Sequence, residues 1–581
     1  MSMRARPHLH YAPVPNGVYL SGPRTQFVFG GPPKLYGVFD VCVPLLEDGA
    51  TEDELVAALG SERARPVVRR ITAELARRDL LLDPGAFTEP EPSAELRARH
   101  PEALAHIEAV AADPYAVFAR LRAARVLLYG PAEVTLPAAR GLHRAGVTRI
   151  VLAAADREAV AATAERLGAT VADRPEDLPA RIDAVLYHPP AGTDPDELPD
   201  GIASRVVPDA PVVRVSVGER VVIVGPPHRG TAPHPLPREL ARRADEWAGD
   251  EEPLPHPAAD ALSGAIAGQT LFEALTTGDT GEAHVLHGSA MAADPVAVAT
   301  VTDPGSTAPR TLHTIGTDPV PDPDAAVEAV TALTSRWTGL FAPTPGAELP
   351  QLPLALRESG DRPGGPGTVV AWARDQRTAT VAVTLAALRA RCGGKGVAAA
   401  GLTEEHWLLD GVLRLLAEEA VPLSTRRWNP GDPAPRELLP LLRALEEEEG
   451  ATPLTVTLLH HPALDWRLAR VEVDGDPSAG GGPSWGRNDT EALGGALAAL
   501  LARLRADAVP GGGRVPDGAH TDALLFADGA VLTELRKRLT EHAAVTGVEY
   551  RGVPRPGDPV LGEPPLWWGG VEVHTVAGAG S

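Results

Sequence analysis

His8-Leu9-His10-Tyr11, Val18-Tyr19-Leu20 and Thr25-Gln26-Phe27-Val28-Phe29 are three short runs separated by Pro15-Asn16-Gly17 and Gly22-Pro23, and closed by Gly30-Gly31-Pro32-Pro33. Runs rich in aromatic and β-branched residues, bounded by Gly, Pro and Asn, read as strands joined by tight turns. The apolar period then changes. Helices are expected over Lys34 to Leu46, Thr51 to Leu59 and Pro66 to Arg78. In the second, Thr51 and Glu54 have capping-box spacing, each able to satisfy the other's backbone amide. The third opens with Pro66 in its first turn and places Val67, Val68, Ile71 and Leu75 on one face.

Three strands followed by three helices are the layout of a small winged helix-turn-helix. Its last strand, Thr25 to Phe29, is expected at a sheet edge, where unpaired backbone groups can template a further strand from a peptide. Between Ser61 and Leu80 lie six arginines, at 63, 65, 69, 70, 77 and 78, against Glu62, Glu74 and Asp79. This local surplus sits in a chain of net charge -23 and suits an acidic partner. The expected peptide-binding residues are therefore Thr25, Gln26, Phe27, Val28 and Phe29 for the backbone ribbon. Val67, Val68, Ile71 and Leu75 would supply apolar pockets if the core leaves them free, and Arg69, Arg70 and Arg77 would meet acids. A DNA-reading winged helix fits poorly, because phosphate binding favours a basic domain and the pI is about 5.2.

At 581 residues the chain exceeds what one core supports. Thr88 to Ser93 and Asp303 to Asp324 read as linkers, giving expected domains at 1–90, 91–320 and 325–581. No apolar run reaches membrane-spanning length, and Met1 to Arg6 does not lead into a signal-type apolar segment, so a cytoplasmic protein is expected. Cys42 and Cys392 are the only cysteines and are expected in the core; they exclude a disulfide framework or a four-cysteine zinc site. His8 and His10 read as surface residues, and His460 and His461, alternating along a strand, cannot chelate together. Gly393 to Gly396 lacks the spacing of a phosphate loop.

From Arg125 the pattern alternates strand and helix: Val126 to Gly130, Leu136 to Ala145, Arg149 to Ala154, then further strands at Ala184 to Tyr187, Val212 to Val215 and Arg220 to Val224. An open, largely parallel Rossmann-like α/β sheet is expected. The turn after the first strand, Gly130 to Thr135, has one glycine, a proline and an acid. A phosphate cradle needs a glycine-rich turn that the anion can approach closely. Gly146-Val147-Thr148-Arg149, with Asp156 beyond it, and Val224-Gly225-Pro226-Pro227 with Arg229-Gly230 resemble motifs of the ThiF-like, ubiquitin-activating-type fold. The zinc-binding cysteines of active members are missing; His228 and His234 are expected to be loop residues.

Residues Gly394 to Ala420 resemble the YcaO family, whose active members use ATP to form azolines. Thr403 is the expected N-cap of a helix with Leu408, Val412, Leu415 and Leu416 as its buried stripe. Where the resemblance calls for metal-holding acids this chain has Arg414 and Ala417. The helix Thr378 to Arg391 has Leu385 or Ala386, then Leu388 or Arg389, and the helix Asp489 to Arg505 has Ala499, Ala502 and Leu504. Glu404, Glu405, Glu418 and Glu419 read as helix-end or solvated charges. Thr575 to Ser581 lacks the proline-rich end associated with azoline-forming members.

Together the three parts resemble the Ocin-ThiF-like leader-binding proteins of azole and thiopeptide pathways: a RiPP recognition element, a degenerate ThiF-like domain and a degenerate YcaO-like domain. The resemblance implies a pseudoenzyme that captures the leader of a ribosomal precursor peptide for a separate YcaO cyclodehydratase making thiazoles or oxazoles. It implies no catalytic residue, cofactor, metal, nucleic acid or membrane partner, and leaves a homodimer open. The rival readings are an adenylating ThiF-type enzyme, a YcaO-type enzyme with relocated acids and a winged-helix DNA-binding regulator.

Overall fold

The computed structural model describes residues 2–153, 157–172, 174–190, 192–229, 237–249, 251–278, 282–298, 308–344, 349–361, 367–450, 452–510, 512–555, 557–558, 560–562 and 566–575. The chain is a mixed α/β protein with several sheets. It forms two compact units, Met1–Ala232 with Glu251–Ala297, and Pro233–Asp250 with Val298–Ser581. The expected first domain thus lies within one unit, while of the expected second domain Pro233–Asp250 and the residues from Val298 on belong to the other. Among the described residues no helix is long and apolar enough to cross a membrane.

The first unit begins with β1 (Arg4–Ala5), then β2 (His10–Val14), β3 (Gly17–Ser21) and β4 (Gln26–Gly30). Helices α1 (Leu35–Asp48), α2 (Glu52–Ala58) and α3 (Arg65–Arg77) follow, and β5 (Leu81–Leu82) returns to pair with β1. Strands β2, β3 and β4 make an antiparallel sheet in that order. His8 has φ 65°, so it turns the chain and the first strand of this sheet starts at His10. Thr25 likewise precedes its strand, its carbonyl accepting from the Gly22 amide. The capping box of Thr51 and Glu54 is formed. Val18, Leu20 and Phe29 pack with Phe39, Leu46, Leu55, Val68, Ile71 and Leu75. Cys42 is buried among them, which pushes its thiol up to about 11.

Helices α4 (Ala94–Arg99), α5 (Pro101–Val110) and α6 (Pro114–Ala123) lead into a nine-stranded sheet. Arg6 from the first module is buried against them, donating to the carbonyls of Glu108 and Ala111 at 2.9 and 2.7 Å. The sheet contains β6 (Arg125–Tyr129), α7 (Ala132–Ala145) after it, β7 (Arg149–Ala153), α8 (Arg157–Leu167), β8 (Thr170–Val171), β9 (Ala184–Tyr187), α9 (Asp200–Ala203) and β10 (Pro211–Val217). These five strands are parallel in the order β8-β7-β6-β9-β10, a doubly wound arrangement. Both faces are covered, by Leu128, Leu152 and Leu186 on one side and Leu127, Val151 and Val185 on the other, which is why the strands are continuously apolar. Strand β11 (Val221–Val224) turns back antiparallel on β10, and β12 (His228–Arg229) also pairs with β10. The sheet is therefore only partly parallel.

Helix α10 (Pro237–Ala248) belongs to the second unit, while α11 (Ala258–Thr276), β13 (Glu282–His287) and β14 (Ala292–Ala297) complete the first. Helix α11 crosses α7 at Gly264, where any Cβ would lie 2.1 Å from the Val134 carbonyl oxygen. Only glycine permits that approach.

The second unit continues with β15 (Arg310–Thr311), α12 (Pro323–Thr331), β16 (Phe341–Thr344), β17 (Ala355–Asp361), β18 (Val369–Ala373), α13 (Gln376–Arg391), β19 (Val397–Gly401) and α14 (Glu404–Leu416). Then come β20 (Val421–Trp428), α15 (Leu439–Glu449), β21 (Leu454–His460), β22 (Arg467–Val473), β23 (Asp476–Gly480), β24 (Ser484–Gly486), α16 (Asp489–Asp507), α17 (Gly529–Thr546), β25 (Val548–Pro554) and β26 (Trp567–Thr575). Three sheets form, β16-β17-β18, β20-β21-β22-β23 with β24 on β22, and β15-β25-β26-β19. Part of the expected linker is thus the strand β15. Arg243 of α10 is buried here in a two-pronged pair with Asp558, at 2.5 and 2.7 Å. Cys392, expected in the core, is only half-buried and caps the end of α13.

Candidate functional site

Strand β4 pairs with β3 alone among the described strands, from Ser21 opposite Gln26 to Gly17 opposite Gly30. Its outer backbone edge is therefore unpaired, as expected of an edge strand. Side chains alternate: Phe29 is buried and Phe27 half-buried, whereas Gln26 and Val28 face solvent, Val28 being 45% exposed. The Tyr19 hydroxyl donates to Gln26 Oε1 at 2.7 Å across the strand pair.

Two side chains of the α3 segment reach this strand. The Arg70 guanidinium lies over Phe29, 4.7 Å from the ring centroid, and Arg78, the C-cap residue of α3, lies over Phe27 at 4.0 Å. Arg70 also donates to the Gly30 carbonyl at 3.1 Å. Since the early arginine meets the late phenylalanine, helix and strand run antiparallel, with two cations along the seam.

The other arginines are occupied differently. Arg65 contacts Glu52, Asp53 and Glu62, and Arg69 Nε donates to both Glu52 oxygens at 2.9 and 3.0 Å. Arg77 and Arg78 both donate to Glu74, which holds that carboxyl down to about 2. Arg70 has no carboxylate partner among the described residues. Much of the positive surplus is thus neutralised inside the module, and the expectation that Arg69 and Arg77 stand ready for a guest's acids is corrected.

A second correction concerns the apolar pockets. Val68, Ile71 and Leu75 are at most 1% exposed, and only Val67, at 36%, is accessible. The apolar stripe of α3 closes the module's own core, packed with residues of β3, β4, α1 and α2. Arg78 was missed, although Arg70, Glu74 and Arg78 recur every four residues beside the buried stripe, and that period is readable.

At the doubly wound sheet the switch point falls between β6 and β9, where such folds place ligands. The turn there starts at Gly130, whose Cβ, if present, would lie 2.7 Å from His188 Cβ. His188 packs on the turn, and its burial lowers its pKa. Pro131 at the N-cap of α7 has no N–H, and Glu133 puts a negative charge in the first turn. An anion finds little to bind here. His228, expected in a loop, is buried in β12; His234 and Asp156 lie outside the described residues.

In the second unit, Arg389 of α13 and Arg414 of α14 converge on one buried carboxylate. Asp410 accepts from Arg389 Nε at 3.0 Å, Arg414 Nε at 2.9 Å, the Ala400 amide at 2.9 Å and the Thr521 hydroxyl. Burial opposes its charge, yet these partners hold the carboxyl down to about 2. The adjoining cavity, with His406 in its wall, measures about 20 Å³, the space of one water. Leu385, Ala386, Leu388, Ala499 and Ala502 are buried hydrocarbon and Leu504 is partly buried. Glu404 and Glu405, expected to be helix-end or solvated charges, stand in the first turn of α14 but are buried: Glu404 accepts from Arg310 Nε at 2.6 Å and the Gly316 amide, and Glu405 faces Arg536 at 3.5 Å.

No family model matches the chain, and no curated protein does. Among solved structures, it is similar to E. coli MccB with ATP at TM-score 0.38 and 10% identity, over 51% of this chain and 97% of that one. It is also similar to the microcin C7 biosynthetic enzyme MccB in complex with N-formylated MccA, at TM-score 0.36 and 10% identity over 51% and 97%. A third is PaaA, at TM-score 0.35 and 17% identity over 50% and 98%. No residue's role is carried over from these likenesses.

Proposed function

We propose that this chain is a leader-peptide-binding scaffold without chemistry of its own, serving azole formation on a ribosomal precursor peptide. The leader adds to the free edge of β4 as a further strand. Its backbone supplies the register, its acids meet Arg70, and small apolar side chains settle on Val28 and Val67. The peptide's Cys/Ser/Thr-rich core is then held for a separate YcaO cyclodehydratase, which makes thiazoles or oxazoles. Tethering raises the local concentration of the core, so modest leader affinity suffices for successive cyclisations.

The observation carrying this reading is the unpaired β4 edge flanked by Arg70 and Arg78. The absence of chemistry is supported by the Gly130 turn, closed by His188 beside Glu133, and by the Arg389–Asp410–Arg414 cluster where carboxylates would have to hold a metal. The test is fluorescence polarisation with a labelled leader from a neighbouring precursor gene. Saturable binding that Phe27→Asp and Arg70→Glu each weaken supports the reading; binding unchanged by both removes it.

A further inference from the structure

Glu419 follows α14, His461 follows β21, and His542 lies toward the C-terminal end of α17, so three separate elements of the second unit meet at these side chains. One ligand atom from each lies within 4.8 Å of the other two. The rings of His461 and His542 stand perpendicular, with centroids 5.1 Å apart, and Tyr550 stacks beyond His542 at 6.5 Å.

We propose that Glu419, His461 and His542 form a binding site for a divalent transition-metal ion, Zn2+ by preference. The separations decide between this and a plain hydrogen-bonded cluster. His461 Nε2 lies 3.6 Å from the Glu419 carboxylate, too long for a hydrogen bond. Two ligands of one tetrahedral ion, each about 2.1 Å from it, stand roughly 3.4 Å apart. The His461–Glu419 distance already fits an ion between them, and His542 offers its ligand atom within 4.8 Å of both.

The donor set also selects the ion. Two imidazoles and one carboxylate suit zinc and its neighbours, whereas magnesium and calcium prefer all-oxygen cages. His461 is buried at 3% exposure, so its ring is held in place by its surroundings. In the ion-free chain the Ala463 amide donates to His461 Nδ1 at 3.2 Å, which places the ring proton on Nε2. Loading moves that proton to Nδ1, so this hydrogen bond is lost and the two facing N–H groups must part, with no net proton released from the ring. Three metal–ligand bonds outweigh it. The ion would clip the end of α14 to β21 and α17, leaving a fourth position for water.

The test uses the full chain made without a polyhistidine tag, stripped with chelator and titrated with Zn2+ or Co2+. One ion per chain, the visible absorption of tetrahedral Co2+ and a higher melting temperature on loading are expected. His542→Ala and Glu419→Gln lie at accessible positions and should lose the ion while keeping the apo melting temperature. His460→Ala should keep it. Failure of the wild type to take up either ion, or equal uptake by His542→Ala, overturns the proposal.

Discussion

The guanidinium of Arg78 lies over the ring of Phe27, 4.0 Å from its centre, while its Nε is anchored by Glu74 at 2.7 Å. One side chain therefore fixes the spacing between helix and free strand. Arg78→Ala removes both contacts; binding of an acidic leader is expected to fall by about tenfold, roughly 1.4 kcal/mol, the scale of a partly desolvated cation–π pair. Polarisation titrations measure this, and affinity equal to wild type contradicts it.

Arg70→Glu should act more strongly than Arg78→Ala, because it reverses the one seam charge with no carboxylate partner. Its effect should shrink as salt is raised, since an exposed charge is screened within about 8 Å at physiological ionic strength. Titrations at low and high salt test this; an effect that does not change with salt would place Arg70 outside the binding surface.

The two kinds of valine and isoleucine on α3 should separate cleanly. Ile71→Ala empties a filled core site and is expected to cost about 2–5 kcal/mol, whereas Val67→Ala at the surface should change stability by less than about 0.5 kcal/mol. Urea unfolding of the first unit, monitored by circular dichroism, reads the difference. A large loss with Val67→Ala would mean that its face is covered.

Acid should loosen the second unit in two windows. Burial keeps His406 neutral and lowers its pKa to about 4. The unfolded chain therefore takes up that proton first, and stability falls as pH drops from about 6.5 to 4. Asp410 titrates lower, near 2 against an ordinary 3.8. Its contribution, about 2 kcal/mol, is complete above pH 4 and disappears as pH falls toward 2. Denaturant midpoints across pH should lose the first window in His406→Phe. Asp410→Asn should lose the second and also unfold more easily at neutral pH, because Arg389 and Arg414 are left uncompensated.

Purified chain should show neither ATP–pyrophosphate exchange nor phosphate release when given peptide alone. Turnover in either assay, surviving further purification, would restore one of the enzymatic readings.

The local elements were readable because their signals are local. The Thr51–Glu54 box, the Thr403 cap and the strand through Phe27 to Phe29 need only neighbours in sequence. What escaped depends on distant partners. Nothing near Glu404 announces Arg310, and nothing near Val68 says whether α3 faces a guest or its own core. The same holds for His461, whose ring partner comes from a helix some 80 residues on. Likewise β11 and β10 both read as apolar strands, and only the tight turn at Gly218 makes them antiparallel.

Helix α10 is lent by the middle of the chain to the second unit, where Arg243 neutralises Asp558. Gene dissection must respect that loan. A fragment starting near 298 discards the arginine and strands a buried anion, so it should come out of expression insoluble. A fragment that restores 233–250 as a separate peptide gives the anion its counterion again.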